Sequence, residues 1–286
     1  MITLQNQTLT VDIKEHGAEL CSLRNQNNSI EYIWQAKAQW SKHSPILFPI
    51  VGQLKHNEYK WQGKTYQMGR HGFARNIPFR LIKNDFHSAT FELTENAETL
   101  KQYPFKFTLQ LLYNLNNDTL ALTYHIKNNN THVMPFSIGA HPAFNIPLCP
   151  DENYTDYYLE FNEKENCGNW LLENGLLKNE LPFFNDTNLI PLSKPLFEKD
   201  ALVFKNLRSN QIQIKSKKSR HGLQIESHNF PYLGIWAAKN ADFVCIEPWH
   251  GIADRINTSG EILEKEGIIC LDQNQDFSYT FLIKVF

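Results

Sequence analysis

Apolar and polar residues alternate through much of the chain. Phe105, Phe107, Leu109, Leu111, Tyr113 and Leu115 fall at every second position, Asn116, Asn117 and Asp118 interrupt them, and Leu120, Leu122, Tyr124 and Ile126 resume the pattern. A period of two puts these side chains on one face of an extended backbone, so the tract predicts a long hairpin with one apolar face. Phe277, Tyr279, Phe281, Ile283 and Val285 repeat the pattern near the C-terminus, and Leu9, Val11 and Ile13 do so near the start. Ile212 and Ile214 are expected to face Leu223 and Ile225 across the basic tract Lys215–Arg220, a solvated hairpin tip. Helical periodicity is absent from every long segment; Glu95–Gln102 has room for one or two turns. Pro147–Asp156 is rich in turn residues but is flanked by apolar strands, which predicts a loop rather than a linker. The expected architecture is all-β, one domain over residues 1–286, built as a large antiparallel β-sandwich with little helix.

Composition narrows the functional classes. The chain has 286 residues, enough for a large core, and its 13% aromatic content favours strands. A net charge of -2 with scattered cations argues against a nucleic-acid partner. Five cysteines, an odd number without CxxC spacing, suggest neither a disulfide framework nor a zinc site. The first residues lack the basic and apolar regions of a signal peptide, and no run is long enough to span a membrane. A reducing cytoplasm and no membrane partner are therefore expected.

Four tracts break the strand pattern and concentrate chemistry. In Gly69-Arg70-His71-Gly72-Phe73-Ala74-Arg75, a histidine between glycines has open backbone access, and two arginines flank it. In Gly139-Ala140-His141-Pro142-Ala143-Phe144-Asn145, the proline holds His141 in an extended conformation. A neutral imidazole so held can accept or donate a proton, although a satisfied interior histidine would look the same. The third tract, Phe243 to Arg255, runs an apolar strand into Glu247-Pro248-Trp249. A carboxylate at the end of a buried strand is costly unless paired or used, and Trp249 offers a flat face to a sugar ring. Asp254 and Arg255 are expected to form a structural ion pair. In the fourth, Phe197 to Phe204, Asp200 precedes a strand, where a turn residue is the plain alternative.

Taken together and in this order, GRHGFAR, GAHPAFN, FEKDALVF and IEPWHGIADR resemble the aldose 1-epimerase (mutarotase) family, in its LacX-like branch. The resemblance implies a galactose-mutarotase-like fold and an isomerase that exchanges the α and β anomers of an aldose with no metal or organic cofactor. By motif, Glu247 would be the general base and His141 the general acid, with His71 near the ring oxygen and Asp200 on sugar hydroxyls. Arg70, Arg75 and Trp249 complete the expected substrate contacts. The family's upstream Gly-Arg pair is replaced by Val51-Gly52-Gln53-Leu54-Lys55, so Arg70, Arg75 or Lys55 would have to stand in for that arginine. Ring opening needs a proton removed from the anomeric hydroxyl and one delivered to the ring oxygen, which an acid and a base on opposite sides of C1–O5 supply. Three other readings stay open. A hexose-6-phosphate mutarotase would use Arg70, Arg75 and Arg255 for the phosphate. A non-catalytic sugar-binding or sugar-sensing protein would keep Trp249 and Asp200. A metal hydrolase on His71, His141 and Glu247 lacks any HxH or HxxxH spacing. The expected partner is a small sugar, and the expected assembly a monomer or homodimer.

Overall fold

The computed structural model describes residues 1–286. Its largest sheet has nine antiparallel strands, and the central hairpin is the one read from the pattern, Phe107–Asn116 against Thr119–Asn128. The turn closes through Asn117 in the left-handed region, at φ 50°, which asparagine tolerates. Asp276–Val285 pairs with Thr119–Asn128, and Leu223–Ser227 pairs with Asp276–Val285. Ile212 lies opposite Ile225, and Ile214 opposite Leu223, as expected. The only α-helix is Ala97–Gln102, started by an Asn96–Thr99 capping box.

A six-stranded sheet packs against the large one. Its centre is Phe243–His250, bordered on one side by Tyr232–Trp236 and on the other by two short segments, Ile138–Ala140 and Ala143–Asn145. His250 meets Tyr279 of the large sheet with ring centroids 4.3 Å apart, and Phe48 meets Phe107 at 5.1 Å. Phe48, Phe107 and Tyr279 belong to a core of 71 buried residues that runs from Leu4 to Val285, and His250 packs at its edge. Val244, Ile246, Pro248 and His250 therefore turn toward the large sheet, and by strand alternation Cys245, Glu247 and Trp249 turn away from it. The outward face is also covered: Leu47, Val51, Leu177, Val203, Trp249, Ile252 and Ala253 form a second apolar cluster.

Two expectations are corrected here. Glu247 is not at a strand end but in the interior of a strand that continues through Pro248 to His250. Asp254 does not pair with Arg255: it pairs with Lys265, while Arg255 bonds to Glu266.

Candidate active site

Sheet register brings the first two functional groups together. Gly139 pairs with Trp249 and Ala143 with Cys245, and the ladder between them is interrupted. The same register continued across the gap sets His141 directly opposite Glu247, where cross-strand side chains touch. Pro142 and Pro248, which have no N–H to donate, fall in that gap. His141 Nε2 is 3.4 Å from Glu247 Oε2. The acid and base expected on opposite sides of C1–O5 are thus in direct contact with each other. Neither His141 Nδ1 nor Glu247 Oε2 has a hydrogen-bond partner, although both are buried. Polar atoms left in that state are costly unless a ligand uses them.

Aromatic rings fix the pair. Trp40 stacks on His141 at 5.0 Å and 24°, and Trp236 meets it edge-on at 5.7 Å. Trp249 lies across two strands: a Cβ on Gly139 would sit 2.6 Å from its ring, and one on Gly234 would sit 2.3 Å away. The glycines let the indole lie flat as the cavity floor. Gly234→Ala should therefore lift Trp249, cost about 1–3 kcal/mol of stability through overpacking, and raise KM more than it lowers kcat. Thermal unfolding and steady-state rates on one preparation would check both effects.

His71 comes from the tight GRHG turn. It sits at φ 66°, and Gly72 beside it at φ 67° has no room for a side chain, because a Cβ there would be 2.3 Å from the Phe48 carbonyl. The His71 ring packs edge-on to His141, with centroids 5.8 Å apart. The Gly52 N–H donates to its Nδ1 at 3.1 Å, and its own N–H donates to the Gly52 carbonyl at 2.9 Å. Asp200 also occupies an unusual backbone conformation, φ 110°, of the kind that persists where surrounding structure holds a functional residue. Its carboxylate accepts from the Ala201 N–H and lies 3.9 Å from Arg70 Nη2.

These groups line one cavity with Trp40, Lys42, Arg70, Arg75, Trp236, Trp249 and Ile252. The sequence reading found His71, His141, Asp200, Glu247, Arg70, Arg75 and Trp249, and the structure gathers all seven. It missed Trp40, Lys42 and Trp236, which stand in tracts with no local signature, and Gly52. Lys55 and Arg255 do not line the cavity. Arg255 is held by Glu266 and lies over Trp170 instead. The loop bearing Trp40 and Lys42 is anchored by buried Glu19, which accepts the N–H groups of His43 and Ser44 and pairs with Lys14.

The electrostatics follow from burial. Desolvation pushes Glu247 well above the ordinary carboxylate range, against the opposing pull of Arg70. Desolvation, aided by the charge of Arg75, brings His141 down to about 3. His71 is lowered by burial, then by His141 and the two arginines. In the free protein burial thus favours the protonated carboxyl group of Glu247 and the neutral imidazole of His141. The same region contains a donor set other than the His71, His141 and Glu247 considered from sequence: ligand atoms of His141, Cys245 and Glu247 lie within 4.8 Å of one another. Burial holds the Cys245 thiol well above its usual range, which opposes the deprotonation that metal ligation requires.

Comparison with known proteins places this geometry in context. A family model described as aldose 1-epimerase matches residues 1–270. Protein LacX (chromosomal) of Lactococcus lactis subsp. lactis is 38% identical over 275 residues, covering 92% of this chain and 91% of that protein. A galactose mutarotase related enzyme from Lactobacillus acidophilus superposes with a TM-score of 0.96 at 36% identity, covering 100% of this chain and 97% of that one. A galactose mutarotase-like protein from Lactobacillus casei gives 0.93 at 30% identity, with both chains covered in full.

Proposed function

The chain belongs to the aldose 1-epimerase family, and from that premise we propose that Glu247 is the base and His141 the acid of its ring-opening reaction. The enzyme is an isomerase: it interconverts the α and β anomers of an aldose by general acid/base catalysis. The observation that carries the residue assignment is the 3.4 Å contact between two buried groups with unpartnered polar atoms on a sugar-sized cavity. The anomeric oxygen and the ring oxygen are bonded to the same carbon, so an acid and a base in mutual contact reach both from one edge of the ring.

Bound hydroxyl groups, together with Arg70, lower the cost of charge in the cavity. The Glu247 proton then passes to His141. The carboxylate takes the proton of the anomeric hydroxyl, and His141 protonates the ring oxygen as the C1–O5 bond breaks. Rotation about C1–C2 presents the other face of the aldehyde, and closure returns both protons. His71 donates to the ring oxygen region, Asp200 and Arg70 hold hydroxyls, and Trp249 supplies the apolar floor. We read residues 1–286 as one such domain, working as a monomer or homodimer. No helix is long and apolar enough to cross a membrane, and all five cysteines are free, which fits a cytoplasmic site of action.

A second reading has its own observation. Lys42, Arg70 and Arg75 line the cavity, and only Arg70 has a carboxylate within 4 Å. Two unpaired cations suit a phosphorylated aldose. Polarimetry of freshly dissolved α-glucose, α-galactose and glucose 6-phosphate in the presence of EDTA tests both readings. Mutarotation faster than buffer is expected, and a higher kcat/KM for the phosphate ester would select the second reading. Saturable binding without acceleration would leave a sugar-binding protein, and loss of rate in EDTA would point to a metal.

A further inference from the structure

We propose that the buried Asp254–Lys265 pair is a positioning device that keeps the His71 proton on Nε2, where it can be donated to the sugar. The inference rests on the acid–base reading of the site. A neutral imidazole has one donor and one acceptor nitrogen, and two outside donors compete for the acceptor role. The Gly52 N–H reaches Nδ1 at 3.1 Å, whereas Arg70 Nε stands 3.3 Å from Nε2. Both cannot be accepted at once. If Gly52 prevails, Nδ1 is bare and Nε2–H faces the cavity beside Arg70, so two donors converge where a sugar oxygen can sit. If Arg70 prevails, the proton moves to Nδ1 and His71 offers the sugar no donor.

Asp254 decides the contest by gripping the loop that carries Gly52. Its N–H donates to the Gln53 carbonyl at 2.9 Å, and its Oδ2 accepts the Lys55 N–H at 3.0 Å. Ala253 backs Gly52 so closely that a Cβ there would lie 2.6 Å from the Ala253 Cα. The Asp254 carbonyl also accepts the N–H of Leu177, a residue of the cavity wall. Lys265 fixes the carboxylate from behind: its Nζ donates to Oδ1 at 2.8 Å and to the Ile252 carbonyl at 2.6 Å, and the two side chains are 2% and 4% exposed. Apolar residues of similar volume would commonly stabilise such a spot as well as an ion pair does. What they would not do is accept the Lys55 N–H, the one loop group that the Asp254 side chain itself holds, and so tie the Gly52 loop to the carboxylate that Lys265 fixes.

Two variants test this. Asp254→Leu combined with Lys265→Met removes both charges together with the side-chain acceptor of the Lys55 N–H, leaving no buried charge unpaired. Lys55→Pro deletes only the N–H that Oδ2 accepts, and Leu54 already has the extended conformation, φ −88° and ψ 144°, that a following proline requires. Each is measured for kcat, KM and the ¹⁵N shifts of the His71 ring in the free protein. The expected result is a fall in kcat of about tenfold to a hundredfold for the double variant, less for Lys55→Pro, with KM little changed. In both, His71 should move from a single Nε2–H tautomer toward a mixture. A His71 that stays in the Nε2–H form in both variants overturns the proposal, whatever the rate does, and so does a kcat within about twofold of wild type in the double variant. If the unsubstituted enzyme accelerates no anomerisation, the acid–base reading fails by itself, and the tautomer measurement still reports on the loop.

Discussion

Glu247→Gln should lower kcat by at least about a hundredfold while leaving the protein folded, because removing a positioned base typically forfeits about 10² to 10⁴ in rate. The amide keeps the volume of the carboxyl group, so neither the contact with His141 nor the packing around Trp249 is lost. The variant also has a stability signature of predictable sign. Burial raises the Glu247 pKa in the folded protein, so its protonated form contributes stability that is fully present below the unfolded-state pKa. That contribution is lost as pH rises through the raised folded value. Glutamine has no charged form to bury. The melting temperature of the variant relative to wild type should therefore increase with pH, from little difference near pH 4 to a clear gain at alkaline pH. The acid limb of the wild-type kcat/KM profile should lie above the ordinary carboxylate range for the same reason. A near-normal rate in the variant would remove Glu247 from the role of base. A melting temperature that falls relative to wild type as pH rises would show that the carboxylate is stabilised by charge partners and not strained by desolvation.

The ease of reading this site from sequence varied with how locally each feature is encoded. The hairpin Phe107–Asn128 was legible because alternation fixes its face and Asn116 to Asp118 fix its turn, all within one stretch of chain. The four motifs were legible as motifs, since proline or glycine beside a histidine or carboxylate is conspicuous against plain strands. What sequence could not supply was pairing at a distance. Glu247 was expected at a strand end because Pro248 reads as punctuation, yet the strand continues beyond it, with both prolines in the interrupted part of the ladder. Asp254 was paired with its neighbour Arg255, whereas the fold gives it Lys265, eleven positions on. Trp40 and Lys42 could not have been singled out, since their place in the cavity depends on Glu19 anchoring a loop more than twenty residues away. The acid and base were expected to face each other across a sugar, but sheet register sets them side by side.

That side-by-side arrangement makes His141 the sharper test of mechanism. His141→Asn should reduce kcat by about a hundredfold or more, since the ring oxygen loses its proton donor while the carboxylate remains. The competing view treats His141 as a core residue, held by Trp40 and Trp236 for packing alone. The two views diverge on stability, because a histidine kept for packing would be missed by the fold. Here its Nδ1 is buried without a partner and burial drives it toward the neutral form, so the wild-type ring already carries an unmet polar cost. The variant should therefore melt within a few degrees of wild type and still bind sugar, as read by quenching of tryptophan fluorescence. His141→Ala adds a further discriminator: it opens a slot between Trp40 and Trp236 the size of the missing ring, so free imidazole should restore part of the lost rate in a saturable manner. Restoration that vanishes when Glu247→Gln is added would tie the imidazole to the same proton exchange. A steep loss of thermal stability in His141→Asn, with kcat preserved in whatever fraction remains folded, would return His141 to the core and leave the acid to be sought at His71.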